Sequence, residues 1–266
     1  MVPAASIVCM GISCAVSFLL PVVLFVYFRR HMKADIRAFF IGCLVMMMFA
    51  FGLEQLFHAA VLGSPAGAAI QGNLWLYALY GGLAAGIFEE TGRLAAFSTL
   101  LKGRKDADAL MYGAGHGGIE AILIAGLSMI SNISSSLAIN AGRMEELLVP
   151  FEGAAADQMR LALETLMTHP SWEFLLAGVE RISAVVLHLC LSVLVWFAVK
   201  EKKYGFYLAA IAMHAAVDGV TVVLSRMGVP ALLLEVLLVA VVAGFAWYMR
   251  QFWKAHADVS PEEADA

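Results

Sequence analysis

The sequence predicts an all-α integral membrane protein, a seven-transmembrane-helix bundle with its N-terminus outside and its C-terminus in the cytoplasm. Three observations carry that expectation. Of 266 residues, 62% are hydrophobic and only 14% are charged, a balance that excludes ordinary soluble and disordered chains. Seven stretches hold the roughly 20 consecutive apolar residues that a helix needs to cross the hydrocarbon layer. Lysine and arginine gather in alternate connections, as they do in cytoplasmic loops.

The predicted spans are residues 6–28, 36–62, 74–101, 109–137, 171–199, 204–225 and 230–249. The chain opens with no positively charged region, so the first span is expected to stay as a helix rather than be cleaved as a signal peptide. Basic connections follow span 1 (Arg29, Arg30, Lys33, Arg37), span 3 (Lys102, Arg104, Lys105) and span 5 (Lys200, Lys202, Lys203). Arg250 and Lys254 follow span 7, while the connection between Leu62 and Asn73 has no basic residue. Together these predict one polytopic transmembrane domain over 1–266, multi-pass in the cell (inner) membrane, with an extramembrane segment 138–170 between the fourth and fifth spans. Within that segment Met159, Leu163, Leu166 and Met167 fall at helical spacing, the pattern of a surface helix. The net charge of -4 offers no basic stripe for nucleic acid. The four cysteines, Cys9, Cys14, Cys43 and Cys190, form no paired motif and read as small buried apolar side chains.

Charged groups inside the spans carry the functional information, because each is costly in lipid and usually faces a protein interior or water. The third span contributes Glu89, Glu90 and Arg93. The fourth contributes Tyr112, His116 and Glu120, the fifth His188, and the sixth His214 and Asp218. Counted at about 1.5 Å rise per residue from the basic ends, Glu89 lies about 20 Å deep, Glu120 and His188 about 18 Å, His214 about 16 Å and His116 about 12 Å. Neighbouring helices run in opposite directions, so a shared layer is not a consequence of sequence order. The spacings Glu89/Arg93, His116/Glu120 and His214/Asp218 each place two groups on one helix face. Glu54/His58 and Glu180/Arg181 lie nearer the outer ends of their helices and read as structural pairs or as the rim of an outer cavity. A glutamate beside water can act as a general base, the more so when burial raises its pKa toward neutrality. Imidazoles bind metals or donate to a developing oxyanion. Neither H-E-x-x-H nor G-x-S-x-G occurs. Hydrolysis in the membrane and proton-coupled transport both use such a layer, and a proteolytically inactive membrane scaffold is the third reading.

The motifs "FEETGR" (88–93), "GAGHGGIEAIL" (113–123), "ERISAVVLHLCLS" (180–192) and "HAAVDG" (214–219) resemble the YhfC family of intramembrane peptidases. That family is similar to the CAAX-protease and bacteriocin-processing enzymes and to the PrsW proteases. The resemblance covers about half the chain. It implies an intramembrane endopeptidase that cleaves a membrane-associated protein or peptide with a glutamate-activated water. Glu89 then matches the base and Glu90 its supporting carboxylate. Tyr112 and His116 match an aromatic-x-x-x-His motif, and His214 and Asp218 match a final His-x-x-x-Asn/Asp motif. Glu120 and His188 resemble the PrsW counterparts, which leaves His116 and His188 open as the second histidine. Related enzymes usually place three residues between the glutamates and the arginine; this chain places two. No cofactor is expected under a metal-independent glutamic mechanism. Zinc is the possible one, with His116, His188, His214 and Glu120 as its ligands. The expected water route is a funnel from the cytoplasmic end past Arg93, Ser98, Thr99, Tyr112 and Gly113, with Glu54 and His58 outside it.

Overall fold

The computed structural model describes residues 1–257, and among them every regular element is helical. The physical reason is that a backbone in lipid must satisfy its own hydrogen bonds, which a helix does within one segment. In chain order the elements are α1 (Ala4–His31), α2 (Ile36–Met48), α3 (Gln55–Leu62), α4 (Pro65–Gly72), α5 (Leu74–Ser98), α6 (Ala107–Ala121), α7 (Leu127–Asn140), α8 (Gly153–Thr168), α9 (Glu173–Lys200), α10 (Gly205–Arg226) and α11 (Ala231–His256). Single π-helical turns, Phe49–Glu54 and Ile122–Gly126, join α2 to α3 and α6 to α7. Each joined pair is one continuous span, Ile36–Leu62 and Ala107–Asn140.

Among the described residues, six helical stretches are long and apolar enough to cross a membrane: these two, α1, α9, α10 and α11. The remaining predicted span is the 25-residue helix α5, which is long enough to cross but carries Glu89, Glu90 and Arg93 in its second half. The chain forms two compact units. One comprises Met1–Leu20 with Ala121–Ile182; the other comprises Pro21–Glu120 with the chain from Ser183 onward.

In the first unit, α8 confirms the surface helix read from the 138–170 segment. Leu163 and Leu166 are buried against Val2, Met10, Met129, Ile139 and Leu148, with Met159 and Met167 packed alongside. Its outer face carries Arg160, whose guanidinium forks onto Glu145 at 3.1 Å through both nitrogens. That hydrogen bond holds the Glu145 carboxyl below the usual carboxylate range, although the pair is exposed and adds little to stability. Glu180 and Arg181 form the expected local ion pair.

The second unit holds every candidate site residue, and glycines set its helix spacings. Helices α5 and α10 pack antiparallel. A Cβ placed on Gly82 would lie 2.4 Å from the Ala215 carbonyl oxygen, and one on Gly86 2.9 Å from that of Ile211. Helix α6 lies between α2 and α9 in the same way: a Cβ on Gly115 would meet the Phe39 carbonyl oxygen at 2.0 Å. Small residues are how membrane helices bring their backbones together without a hydrophobic drive between them. Polar anchors hold the basic connections. Asp35 caps α2 through the Arg37 amide, takes a 3.0 Å bond from Arg104, and donates its own amide to Asp108 at 2.6 Å. Trp196 and Lys200 both donate to Asp106.

The α5/α10 contact yields a stability test. Gly82→Ala is expected to destabilise the protein by about 1–3 kcal/mol, the range for overpacking a tight site. Gly81→Ala, whose added methyl meets nothing within 4 Å, is expected to be neutral or slightly stabilising because alanine suits a helix better than glycine. Thermal unfolding of the two detergent-solubilised variants distinguishes them, and equal behaviour would refute the close contact.

Candidate active site

Adjacent residues on a helix point about 100° apart, whereas residues three apart share a face. Glu89 and Glu90 therefore aim at different neighbours. Glu90 forms an ion pair with Arg93, and neither side chain has any exposed surface. The pairing predicted from spacing was Glu89 with Arg93; the i,i+3 partner takes the arginine instead and leaves Glu89 to the histidines. A second expected pair is likewise exchanged. His116 does not bond Glu120 on its own helix. It places Nε2 3.0 Å from Glu89 Oε2, while Glu120 Oε2 lies 2.5 Å from His188 Nε2 on α9. The third pair is retained at 3.5 Å, His214 Nε2 to Asp218 Oδ2.

These contacts follow one pattern. Each histidine has one ring nitrogen held by an oxygen: His116 Nδ1 by the Tyr112 hydroxyl at 3.4 Å, His188 Nε2 by Glu120, and His214 Nδ1 by Glu90 Oε1 at 2.8 Å. The other nitrogen of each turns to Glu89. His116 Nε2 lies 3.0 Å and His188 Nδ1 3.9 Å from Oε2, and His214 Nε2 lies 3.9 Å from Oε1. His116 and His188 have ring centroids 5.0 Å apart, and His188 and His214 5.5 Å. Arginine only donates, so the 3.2 Å contact of Arg93 Nη2 with His188 Nδ1 assigns that nitrogen its lone pair and Nε2 its proton. Both histidines thus remain open to the choice between them: His116 faces Glu89 directly, and His188 does so from behind a carboxylate.

Could this arrangement hold a metal? Glu89, His116 and His188 each offer a ligand atom, and the three atoms lie within 4.8 Å of one another. Ligands about 2.0–2.1 Å from a tetrahedral zinc sit about 3.3–3.4 Å apart, which matches the 3.0 and 3.9 Å separations from Glu89 Oε2. Histidine ligands almost always have their second nitrogen bound to an oxygen, as these two do. The donor set fits a divalent cation once Arg93 Nη2 releases the His188 Nδ1 lone pair that would bind it. It differs from the ligands expected from sequence: Glu89 takes the place assigned to Glu120, which supports His188 from behind, and His214 stands outside the group of three.

The predicted funnel past Arg93, Tyr112 and Gly113 is not found, because that end is packed. Tyr112, Phe97 and Trp196 are at most 5% exposed. Phe97 meets the other two edge-on at centroid distances of 4.7 and 5.2 Å. Glu54, placed outside the site from sequence, is buried and lies within electrostatic range of Glu89, His214 and Asp218. It keeps the predicted bond to His58 at 3.2 Å, and His58 in turn bonds the Tyr80 hydroxyl at 2.7 Å. Tyr80 gave no sequence signal; an aromatic residue in an apolar span reads as packing. Thr91 and Tyr207, bonded at 2.8 Å, were missed for the same reason.

Removing one partner of a buried ion pair leaves an uncompensated charge and costs about 3–5 kcal/mol. Arg93→Met is expected to lower stability by that order, and Glu90→Gln in the same chain to restore most of it. Thermal melts of the single and double variants check this; a double variant as unstable as the single one would mean that Arg93 acts through packing alone.

The family model described as "YhfC intramembrane metalloprotease" matches residues 16–243. A Bacillus subtilis (strain 168) protein described as "Uncharacterized membrane protein YhfC" is 41% identical over 251 residues, covering 93% of this chain and 96% of that protein. No solved structure matches. The matched span contains every residue of the Glu89 cluster, and the chain belongs to the YhfC family of intramembrane metalloproteases.

Proposed function

We propose that this chain is an intramembrane endopeptidase that hydrolyses a peptide bond of a membrane-associated protein or peptide. In this reading it crosses the cell membrane seven times, α5 included, with the N-terminus outside and the C-terminus in the cytoplasm. One observation supports it above the rest: three histidines from three helices turn one nitrogen each to a single buried glutamate. A merely structural network would pair these groups off. Here Glu90, Glu120 and Tyr112 orient the histidines, and Glu89 stands where they converge. The family description favours hydrolysis over the transport and scaffold readings.

Glu89, His116 and His188 would hold a divalent cation, with zinc as the choice that suits one carboxylate and two imidazoles. Such an ion supplies Lewis-acid polarisation of a carbonyl and a bound water of lowered pKa. The donor set and the family description thereby weigh against the metal-independent mechanism expected from sequence.

The side chains divide the remaining work. The two oxygens of Glu89 face different groups: Oε2 faces His116 and His188, while Oε1 faces His214. Oε1 is thus the atom placed to accept a proton from water held between it and the His214–Asp218 pair. Glu90 receives the Nδ1 proton of His214 and so presents Nε2 to the reacting side, where the protonated ring donates to the oxygen that gains charge. Arg93 neutralises Glu90, so that Glu90 stays a carboxylate without drawing the proton meant for Glu89.

Two outcomes test this. Glu89→Gln is expected to abolish cleavage of membrane-protein substrates in cells while leaving membrane insertion intact; the readout is the set of membrane-protein fragments compared between wild type and variant. Turnover retained above a few per cent of wild type, roughly a loss of under 2–3 kcal/mol in transition-state stabilisation, would remove Glu89 from the reaction. Purified wild-type protein is expected to bind one zinc per chain, and Glu120→Ala to weaken zinc affinity by about 10–100-fold, as losing a ligand's hydrogen-bonding carboxylate does. Isothermal titration after chelator treatment measures both, and a chain that retains full cleavage without metal would return the mechanism to the glutamic form.

A further inference from the structure

The packed aromatic cluster raises a question of supply, because a hydrolase needs water at Glu89. Which end of the unit admits it? The polar residues of this unit are unevenly exposed. Toward the basic connections the groups next to the site are sealed: Arg93 and Tyr112 have no exposed surface and Phe97 has 1%. In the other direction exposure rises. The Asp218 side chain is 39% exposed and that of His58 24%.

The helix register shows where these groups sit. Gly82 faces Ala215 and Gly219 faces Ala78. Asp218, one turn beyond His214, therefore stands level with the first turns of α5 rather than with Glu89. It is 8 residues, about 12 Å, from the end of α10 at Arg226. The span formed by α2 and α3 runs past α5 in the same sense: Phe49 packs on Gly92, and Phe57 stacks on Tyr80. Glu54 lies between those levels, and His58 leads from it to Tyr80, which is 6 residues from the start of α5. The π-helical turn that ends at Glu54 is the sort of irregularity found at functional sites. A carboxylate this exposed, this far inside a spanning helix, is tolerated against water but strongly opposed against lipid.

We infer that water reaches the Glu89 cluster by a hydrated route that opens where α5 begins and α10 ends, is lined by Asp218, Glu54, His58 and Tyr80, and stops at the Phe97–Tyr112–Trp196 plug. Glu54 is a positioning residue in this route, holding its polar wall between Glu89 and His58. The route rests on the hydrolase reading only for its purpose; its existence rests on burial and register. It opens on the face opposite the basic connections, the reverse of the direction expected from sequence.

The test is side-specific thiol labelling in a chain whose Cys9, Cys14, Cys43 and Cys190 are replaced. Control cysteines at Ser64 and Gly103 identify the two membrane faces, so no assumed orientation enters. Single cysteines at His58, Tyr80, Asp218 and Phe97 are exposed to a membrane-impermeant maleimide in right-side-out and inside-out vesicles. Positions 58, 80 and 218 are expected to react about tenfold or more faster from the face that labels position 64, since thiol reactivity follows access. Position 97 is expected to react from neither face. Glu54→Leu is expected to slow labelling at position 218 about tenfold, and Glu54→Gln to preserve it, as polar lining rather than bulk controls access. Should the substitution at Asp218 prevent folding, Thr221→Cys, nearly one turn further along α10, reads the same opening. Labelling from the face of position 103, reaction at position 97, silence from both faces, or indifference to Glu54→Leu each overturns the route. Labelling requires no cleaved bond. A chain that labels as expected yet cleaves nothing refutes the peptidase reading and leaves the route standing.

Discussion

A carboxylate and a guanidinium with no exposed surface, Glu90 and Arg93, lie one turn apart on α5, and the rest of the site is built outward from them. Two bare charges in that position would be prohibitive. As a pair they are tolerated, and each has hydrogen-bonding capacity left over. Glu90 spends it on His214 Nδ1 and Arg93 on His188 Nδ1. One ion pair thus holds Nδ1 of two histidines on two other helices. Glu89, the neighbour that the ion pair does not use, faces Nε2 of His214 and this same Nδ1 of His188, each at 3.9 Å.

Such a network requires backbones close enough for short side chains to meet. The glycines of α5 and α6 supply that closeness. Helix α6 meets α2 with no room for a methyl at Gly42 or Gly115, and Gly117 rests against His188 itself. Distances near 3 Å between groups on four helices are therefore a consequence of helix spacing, and the polar residues inherit them. The same closeness leaves Phe97, Tyr112 and Trp196 buried, so the unit is packed at one end and more polar and exposed toward the other.

Of the two reversals among the polar pairs, one is settled within a helix, where Glu90 takes Arg93 at i,i+3, and the other between helices. Residues four apart on one helix can meet, but they compete with partners on adjoining helices that approach from more favourable directions. His116 could turn to Glu120 and instead faces Glu89 across the interface, while Glu120 holds His188. Local spacing singled out residues that the fold brings together, but with other partners. Glu54 repeats the lesson at longer range: its i,i+4 bond to His58 is present as read, yet the π-helical turn that ends at it and the antiparallel register with α5 set it between the levels of Gly92 and Tyr80.

The sequence by itself determined the helical class, the positions of the apolar spans, the amphipathic face of α8, and which charged residues lie inside the spans. Those properties are local: apolar length, helical period, and the cost of an isolated charge in lipid act on one segment at a time. The tertiary structure alone decided which carboxylate supports and which one is converged upon, that Glu120 serves His188, that Tyr80 joins the polar chain, and which end of the unit is packed shut. Each of these depends on the rotation of one helix against its neighbour, which hydropathy along a single strand of sequence does not encode.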